Sequence, residues 1–351
     1  MVRITGIEER QAWDGIVRSF SDYDVYYLSG YVKAFQIHGD GEPRLLYYES
    51  EDYTATEAGL RAIYVYMLRR IDETTFDTIT PYGYGGVLFE GEVTEESLGA
   101  FRAAYQEAMQ EQHVVSNFVR YHPVLRNAGP MKQTATVTDL GKTIALDLSS
   151  AETIWDNIHS KNRNMIRKAE KNGVEIRHGQ GLELLERFRD IYNATMDKDH
   201  AEEYYYFGRA FYESIDRDLR DNYRMFWAEY EGKTVAMSIM IFANGRLNYH
   251  LSGSLAEYRS LAPSNLLLYR AALWGCEQGM KTFHLGGGVG SGEDNLYKFK
   301  AAFNKNSDYR FSIGREIIDG KRYDELVRQR KAADPAFDAG ATFFPLYRSN
   351  Q

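Results

Sequence analysis

The chain has 351 residues, 44% of them hydrophobic and 26% charged, and carries a formal net charge of −8. That composition describes a globular protein long enough for two domains and excludes extended disorder. The acidic balance argues against a general nucleic-acid binder, because sequence-independent phosphate affinity accumulates from Lys and Arg.

In chain order, residues 44–53 and 61–71 read as β-rich runs. Residues 94–112 predict a helix with Phe101, Ala104, Tyr105 and Ala108 on one side, and 113–122 predict a strand. A loop, 126–137, combines Asn, Gly and Pro without apolar periodicity and marks the expected boundary between two lobes, 1–130 and 131–333. The second lobe opens with a strand over 136–148. One basic helix, 151–172, and two further helices, 183–199 and 204–221, come next. Three antiparallel strands then cover 223–231, 234–243 and 246–253, with tight turns at Glu231-Gly232 and Asn244-Gly245. A helix over 263–278 and a short strand over 281–285 lead into a glycine loop. Residues 334–351 read as a weakly ordered tail anchored by a few aromatics.

The order helix, three meandering strands, helix, strand, glycine loop is that of an acyltransferase fold of the GNAT type. The expected fold class is therefore α/β (α+β): two tandem GNAT-like lobes with mixed, largely antiparallel sheets flanked by helices. Fold alone does not give function.

Two segments carry candidate chemistry. Ser160 to Gly173, SKNRNMIRKAEKNG, holds five basic residues and one acid within an acidic protein. On a helix, Lys161, Arg163, Asn164, Arg167, Lys168 and Lys171 fall on one face, while Trp155, Ile158, Met165, Ile166 and Ala169 fall on the other. This pattern fits a surface for an anionic partner, and equally a solvated amphipathic helix. Leu285 to Phe303, LGGGVGSGEDNLYKFKAAF, sets three glycines after a strand, so that backbone can approach a ligand closely, and follows them with cations. The same loop read alone is also a flexible turn. Its spacing is neither GxGxxG nor GxxxxGK[ST], so a dinucleotide or nucleoside-triphosphate site is unsupported.

Other constellations are missing. The lone Cys276 excludes internal disulfides and reads as a core residue. The eight histidines show no HExxH or HxxxH pairing, so no metal is expected, and no GxSxG elbow occurs. His122, His200, His250 and His284 read as structural. No run of 18 apolar residues is present and the N-terminus lacks the apolar core of a secretion signal, so no integral membrane segment and a cytoplasmic location are expected.

The basic helix, the GMKTFHLGGG strand and loop, LYKFKAAF, PYGYGG at 81–86 and VRYHP at 119–123 together resemble the FemAB and FemX superfamily. These are GNAT-related, two-lobed transferases that move an amino acid from aminoacyl-tRNA onto the stem peptide of a peptidoglycan precursor. The resemblance covers about 26–311. It implies that Lys300 stabilises charge on the carbonyl oxygen, beside Gly286, Gly287 and Gly288. It further implies that Arg163, Arg167 and Lys168 contact anionic groups of donor or acceptor, that Tyr297 and Phe299 after the glycine loop help bind substrate, and that Tyr82 and Tyr84 border the acceptor. Asp294, Glu293 or a water is left as the proton acceptor. The long coiled-coil arm of FemA-like ligases has no counterpart between Asn193 and Asp221. The segment 258–271 also has no glycine to cradle a pyrophosphate, which disfavours acyl-CoA as donor.

The reading is thus an aminoacyl transferase with no bound cofactor, using aminoacyl-tRNA as donor and an anionic, amine-bearing acceptor such as a UDP-linked peptide or sugar. An acyl-CoA-dependent N-acyltransferase acting on a sugar or small amine, and a non-catalytic binder of cell-wall or nucleotide-sugar intermediates, are the alternatives.

Overall fold

The computed structural model describes residues 1–53 and 59–349. Its elements in order are β1 (Val2–Gly6), α1 (Arg10–Ser19), α2 (Ser29–His38), β2 (Glu42–Glu49), β3 (Leu60–Arg70), β4 (Phe76–Ile79), β5 (Leu88–Gly91), α3 (Glu95–Glu111) and β6 (Val114–Arg120). They continue with β7 (Thr136–Asp147), α4 (Ala151–Asn157), α5 (Ser160–Lys171), β8 (Glu175–Gly179), α6 (Leu182–Lys198), α7 (Arg209–Asp218), β9 (Tyr223–Tyr230), β10 (Lys233–Ala243) and β11 (Arg246–Ser254). Last come α8 (Pro263–Glu277), β12 (Thr282–Gly286), α9 (Asn295–Ala301), β13 (Tyr309–Ile317) and α10 (Gly320–Ala333). No helix among the described residues is long and apolar enough to cross a membrane.

The chain divides into two compact units. One joins Met1–Leu140 to the segment from Phe311 onward, and the other is Gly141–Arg310. Two stretches expected in the second lobe, 131–140 and 311–333, fall in the first unit instead. For 311–333 the cause is strand pairing, since β13 lies antiparallel to β6 with Ile313 opposite Arg120 and Ile317 opposite Ser116. The segment beyond 333 is better anchored than its composition suggests. Phe337 and Tyr347 are buried, the Tyr347 hydroxyl bonds to Ser116 and Asp77, and Arg348 pairs with Asp77.

Each unit contains the same β-α-β step. In the first, β4 is parallel to β6 across α3; in the second, β11 is parallel to β12 across α8. The remaining strand pairings described within the two units are antiparallel, apart from one isolated parallel bridge between Gly85 and Tyr121. Helix α3 starts where Thr94 Oγ1 accepts from Ser97 N–H at 3.2 Å, and it buries Leu98, Phe101, Tyr105, Ala108 and Met109 on β3 and β6 neighbours such as Tyr64 and Val119. In the second unit Ile166 and Ala169 of α5, Leu266, Leu267 and Ala271 of α8 and Phe283 and Leu285 of β12 form one core. Both hairpin turns have two successive left-handed residues, Glu231-Gly232 at φ 49° and 76° and Asn244-Gly245 at φ 47° and 75°. That geometry matches the twist of the flanking strands.

Three local expectations change. The basic helix breaks at Ile158–His159, where Ile158 N–H returns to Trp155 O and the backbone turns extended. Met165 is 36% exposed, and Asn162 takes a buried position through its bond from Asn265 Nδ2 at 2.7 Å. A short 3-10 turn, Glu203–Tyr205, stands where that helix was expected to start, and α7 begins only at Arg209.

Candidate active site

The glycine loop grows out of a place where two strands part. β12 runs parallel to β11 only from Thr282 opposite Arg246 to His284 opposite Asn248, although β11 continues to Ser254. Both strands also bulge here, β11 against β10 next to Met240 and β12 against β7 between His284 and Gly286. Bulges bend a strand and end its pairing. Gly286 then adopts φ +76°, a left-handed value that a side chain would strain. A Cβ on Gly288 would stand 2.2 Å from Gly292 O and 2.3 Å from Asp294 Oδ1. The loop is therefore a tightly folded backbone turn, not a slack one.

Asp294 closes that turn. One carboxylate oxygen accepts from Tyr297 N–H at 2.8 Å and the other from Val289 N–H at 3.3 Å, so the residue caps α9 and ties it to the loop. These hydrogen bonds hold its pKa below the usual carboxylate value, which makes Asp294 a weak proton acceptor. The candidate base proposed from sequence thus has a structural task.

Within α9 the exposed Lys298 and the buried Lys300 differ sharply. The Lys300 ammonium donates to Gly287 O at 2.7 Å. Desolvation lowers its pKa to about 8, partly offset by the Asp294 charge. A buried ammonium carries three donors, and the described bond to Gly287 O uses one of them. Tyr297 and Phe299 turn into the core of the second unit instead, Phe299 packing edge-on to Phe303 at 5.5 Å.

The basic helix is in the same unit and touches the same segment. His159 N–H, just before α5, bonds to Ala302 O at 3.0 Å, just after α9. Ile166 and Ala169 are buried and Arg167 is exposed, but Trp155, expected on the apolar side, lies in α4 against the arginines: Arg163 and Arg167 sit 5.9 and 5.0 Å from its ring centre, and Trp155 packs on Tyr269 at 5.1 Å. Lys168 is exposed. The backbone of α5 and α9, rather than side-chain contact, links these cations to Lys300.

Tyr82 and Tyr84 belong to the first unit. Tyr82 stacks on Phe35 at 5.3 Å, and its carbonyl accepts from the Tyr31 hydroxyl at 2.5 Å. Tyr84 meets Tyr26, His122 and Phe311 at 5.5 to 5.7 Å. Beneath them lies a pair that the sequence did not reveal, His122 Nε2 and Asp24 Oδ2, 2.9 Å apart and both buried. Leu125 N–H donates to His122 Nδ1 at 3.2 Å, so Nε2 carries the proton given to Asp24. Nothing in YDVYY or RYHP signals this pair, because 98 residues separate its members. Among the described residues no cluster of three or more His, Cys, Asp or Glu is placed to hold a metal ion.

Residues 159–300 match the family model described as an acetyltransferase (GNAT) domain. The chain is also 26% identical over 227 residues to the UDP-N-acetylmuramoylpentapeptide-lysine N(6)-alanyltransferase of Weissella viridescens. That match covers 59% of this chain and 65% of the relative, so it spans just under two thirds of the relative's length. The crystal structure of FemX superposes with a TM-score of 0.69 at 14% identity, covering 92% of this chain and 99% of that one. The chain thus carries a GNAT domain and shares the fold of FemX. The structure of L-PGS from Bacillus licheniformis shares the fold too, at a TM-score of 0.55 and 13% identity, over 89% of this chain and 92% of that one. The GNAT match begins at His159, which bonds to the end of α9, and ends on Lys300 itself.

Proposed function

We propose that the chain is a FemX-type acyltransferase that moves an aminoacyl group from aminoacyl-tRNA to an amine of a UDP-linked cell-wall precursor in the cytoplasm. The observation that carries this reading is Lys300, a nearly buried ammonium held on a glycine turn, with its pKa at about 8. It remains mostly cationic at neutral pH and is already stripped of water, which is the state needed to stabilise an oxyanion as it forms.

In the reaction the amine nitrogen attacks the ester carbonyl carbon. The carbonyl π pair moves onto oxygen, facing Lys300 and the backbone of Gly286 to Gly288. Collapse of the tetrahedral intermediate re-forms the carbonyl and expels the ribose oxygen, and the proton lost by the amine ends on that oxygen by way of water. No covalent enzyme intermediate is required, because holding the two reactants together in a desolvated site supplies much of the acceleration. Arg163 and Arg167, stiffened on Trp155, and Lys168 are assigned to phosphate contacts, for which planar guanidinium groups are suited. Tyr82 and Tyr84 are assigned to the acceptor. Tyr297 and Phe299 act by anchoring α9.

The test is to incubate the purified protein with charged tRNA or with a panel of acyl-CoAs, together with UDP-linked muramyl peptides, and to follow the acceptor by mass spectrometry. An aminoacyl mass increment that ribonuclease abolishes is expected. Transfer from CoA donors alone would replace this reading with an N-acyltransferase. Ligand binding without transfer, indifferent to Lys300→Ala, would replace it with a binding protein.

A further inference from the structure

The first unit holds an open concavity of about 850 Å³ whose lining includes Lys132, Thr134, Val137, Arg315, Ile317 and Phe344. Two hydrogen-bond donors on its wall, Arg315 Nε and Thr134 Oγ1, are buried without a partner among the described residues. Buried donors are nearly always satisfied, so two on one wall point to a group that enters from outside. The other partly buried arginines nearby show the contrast. Arg69 and Arg348 share Asp77, and Arg322 pairs with Asp72, whereas Arg315 has no carboxylate within ion-pair distance among the described residues.

Strand geometry sorts the lining by chemistry. Residues 315 and 317 of β13 lie opposite Phe118 and Ser116 of β6, so their side chains share one face. Phe118 and Phe344 meet on that face at 6.4 Å, and Ile317 is 50% exposed. Glu316 projects to the other face, where its carboxylate accepts from the Tyr105 hydroxyl at 2.8 Å. A guanidinium, a lysine and a hydroxyl thus border an apolar wall, with the neighbouring carboxyl turned away.

We propose that this concavity binds a small molecule carrying a carboxylate or phosphate group. Arg315 and Thr134 hold its oxyanion, Lys132 adds attraction, and its apolar body lies along Val137, Ile317 and Phe344. The proposal does not depend on the transferase reading, since it uses none of the residues of the glycine loop.

Calorimetric titration of the full chain with benzoate, phenyl phosphate and inorganic phosphate tests it. At least one of the two aromatic anions should bind saturably and about tenfold more tightly than inorganic phosphate, and which one does so identifies the head group. Arg315→Gln should weaken that binding at least about tenfold, and Thr134→Val several-fold. Should Arg315→Gln fail to fold by circular dichroism, Thr134→Val alone decides. Failure of both aromatic anions to saturate, or affinity unchanged in the folded variants, overturns the site.

Discussion

Each unit buries an ionisable group whose pKa is driven toward neutrality, and the two cases differ in what surrounds the charge. In the first unit Glu316 is pushed up to about 7 by desolvation, although the Tyr105 hydroxyl and Asn117 amide offset part of it. It sits in a closed network that continues from Asn117 to Tyr64 and Thr78. In the second unit Lys300 is pushed down to about 8 and has one carbonyl partner on a turn of glycines. A perturbed pKa alone therefore does not mark a catalytic group. What separates the two is that Glu316 is held by a network of side chains, whereas the described partner of Lys300 is a backbone carbonyl of the glycine turn.

Lys300→Met breaks the comparison most directly. Transfer should fall about 10³-fold, as expected when a pre-positioned oxyanion donor is lost, while urea unfolding should show stability unchanged or slightly raised, because an apolar isostere relieves a desolvated charge. In the intact enzyme the alkaline limb of kcat/KM should fall through pH about 8 as the ammonium loses its proton. A Lys300→Met enzyme retaining wild-type kcat would remove the lysine from the chemistry.

Gly288→Ala comes next. Its Cβ would collide with Gly292 O and Asp294 Oδ1, opening the turn and the α9 cap, so kcat should drop roughly 10²-fold for a displacement of about 1 Å, with stability lowered by about 1 kcal/mol or more as the cap is lost.

Glu316→Gln sharpens the comparison from the other side. A carboxyl whose folded pKa is raised from 4.5 to about 7 contributes stability that is full below pH 4.5 and lost as pH rises through 7. The Gln variant should therefore be more stable than wild type at pH 8, by up to about 3 kcal/mol in urea titrations, with the difference fading toward pH 5 and transfer scarcely affected. Equal stabilities at pH 8 would mean that the network compensates the charge fully.

The smallest expected effect is at Arg167. Replacement by Ala should weaken charged-tRNA binding by about tenfold at low salt and reduce the slope of log affinity against log salt by roughly one. A variant with an unaltered salt slope would place the phosphates elsewhere.

The sequence by itself determined most of the secondary structure of the second unit, although β8, the strand Glu175–Gly179 beside β9, was not foreseen. Its signals are local: alternation in β9 to β11, two hairpin turns that need left-handed residues, and a glycine run after β12. The basic segment was legible for the same reason, but its break at Ile158–His159 was not, because that depends on packing and on the backbone bond between His159 and Ala302. Tertiary structure alone decided which of Lys298 and Lys300 is desolvated, that Arg163 and Arg167 lie on Trp155, and that β13 returns to the first unit. It also decided the pairing of Asp24 with His122. These outcomes depend on contacts between residues far apart in the chain, and burial, which sets the pKa of both Lys300 and Glu316, exists only once those contacts have formed.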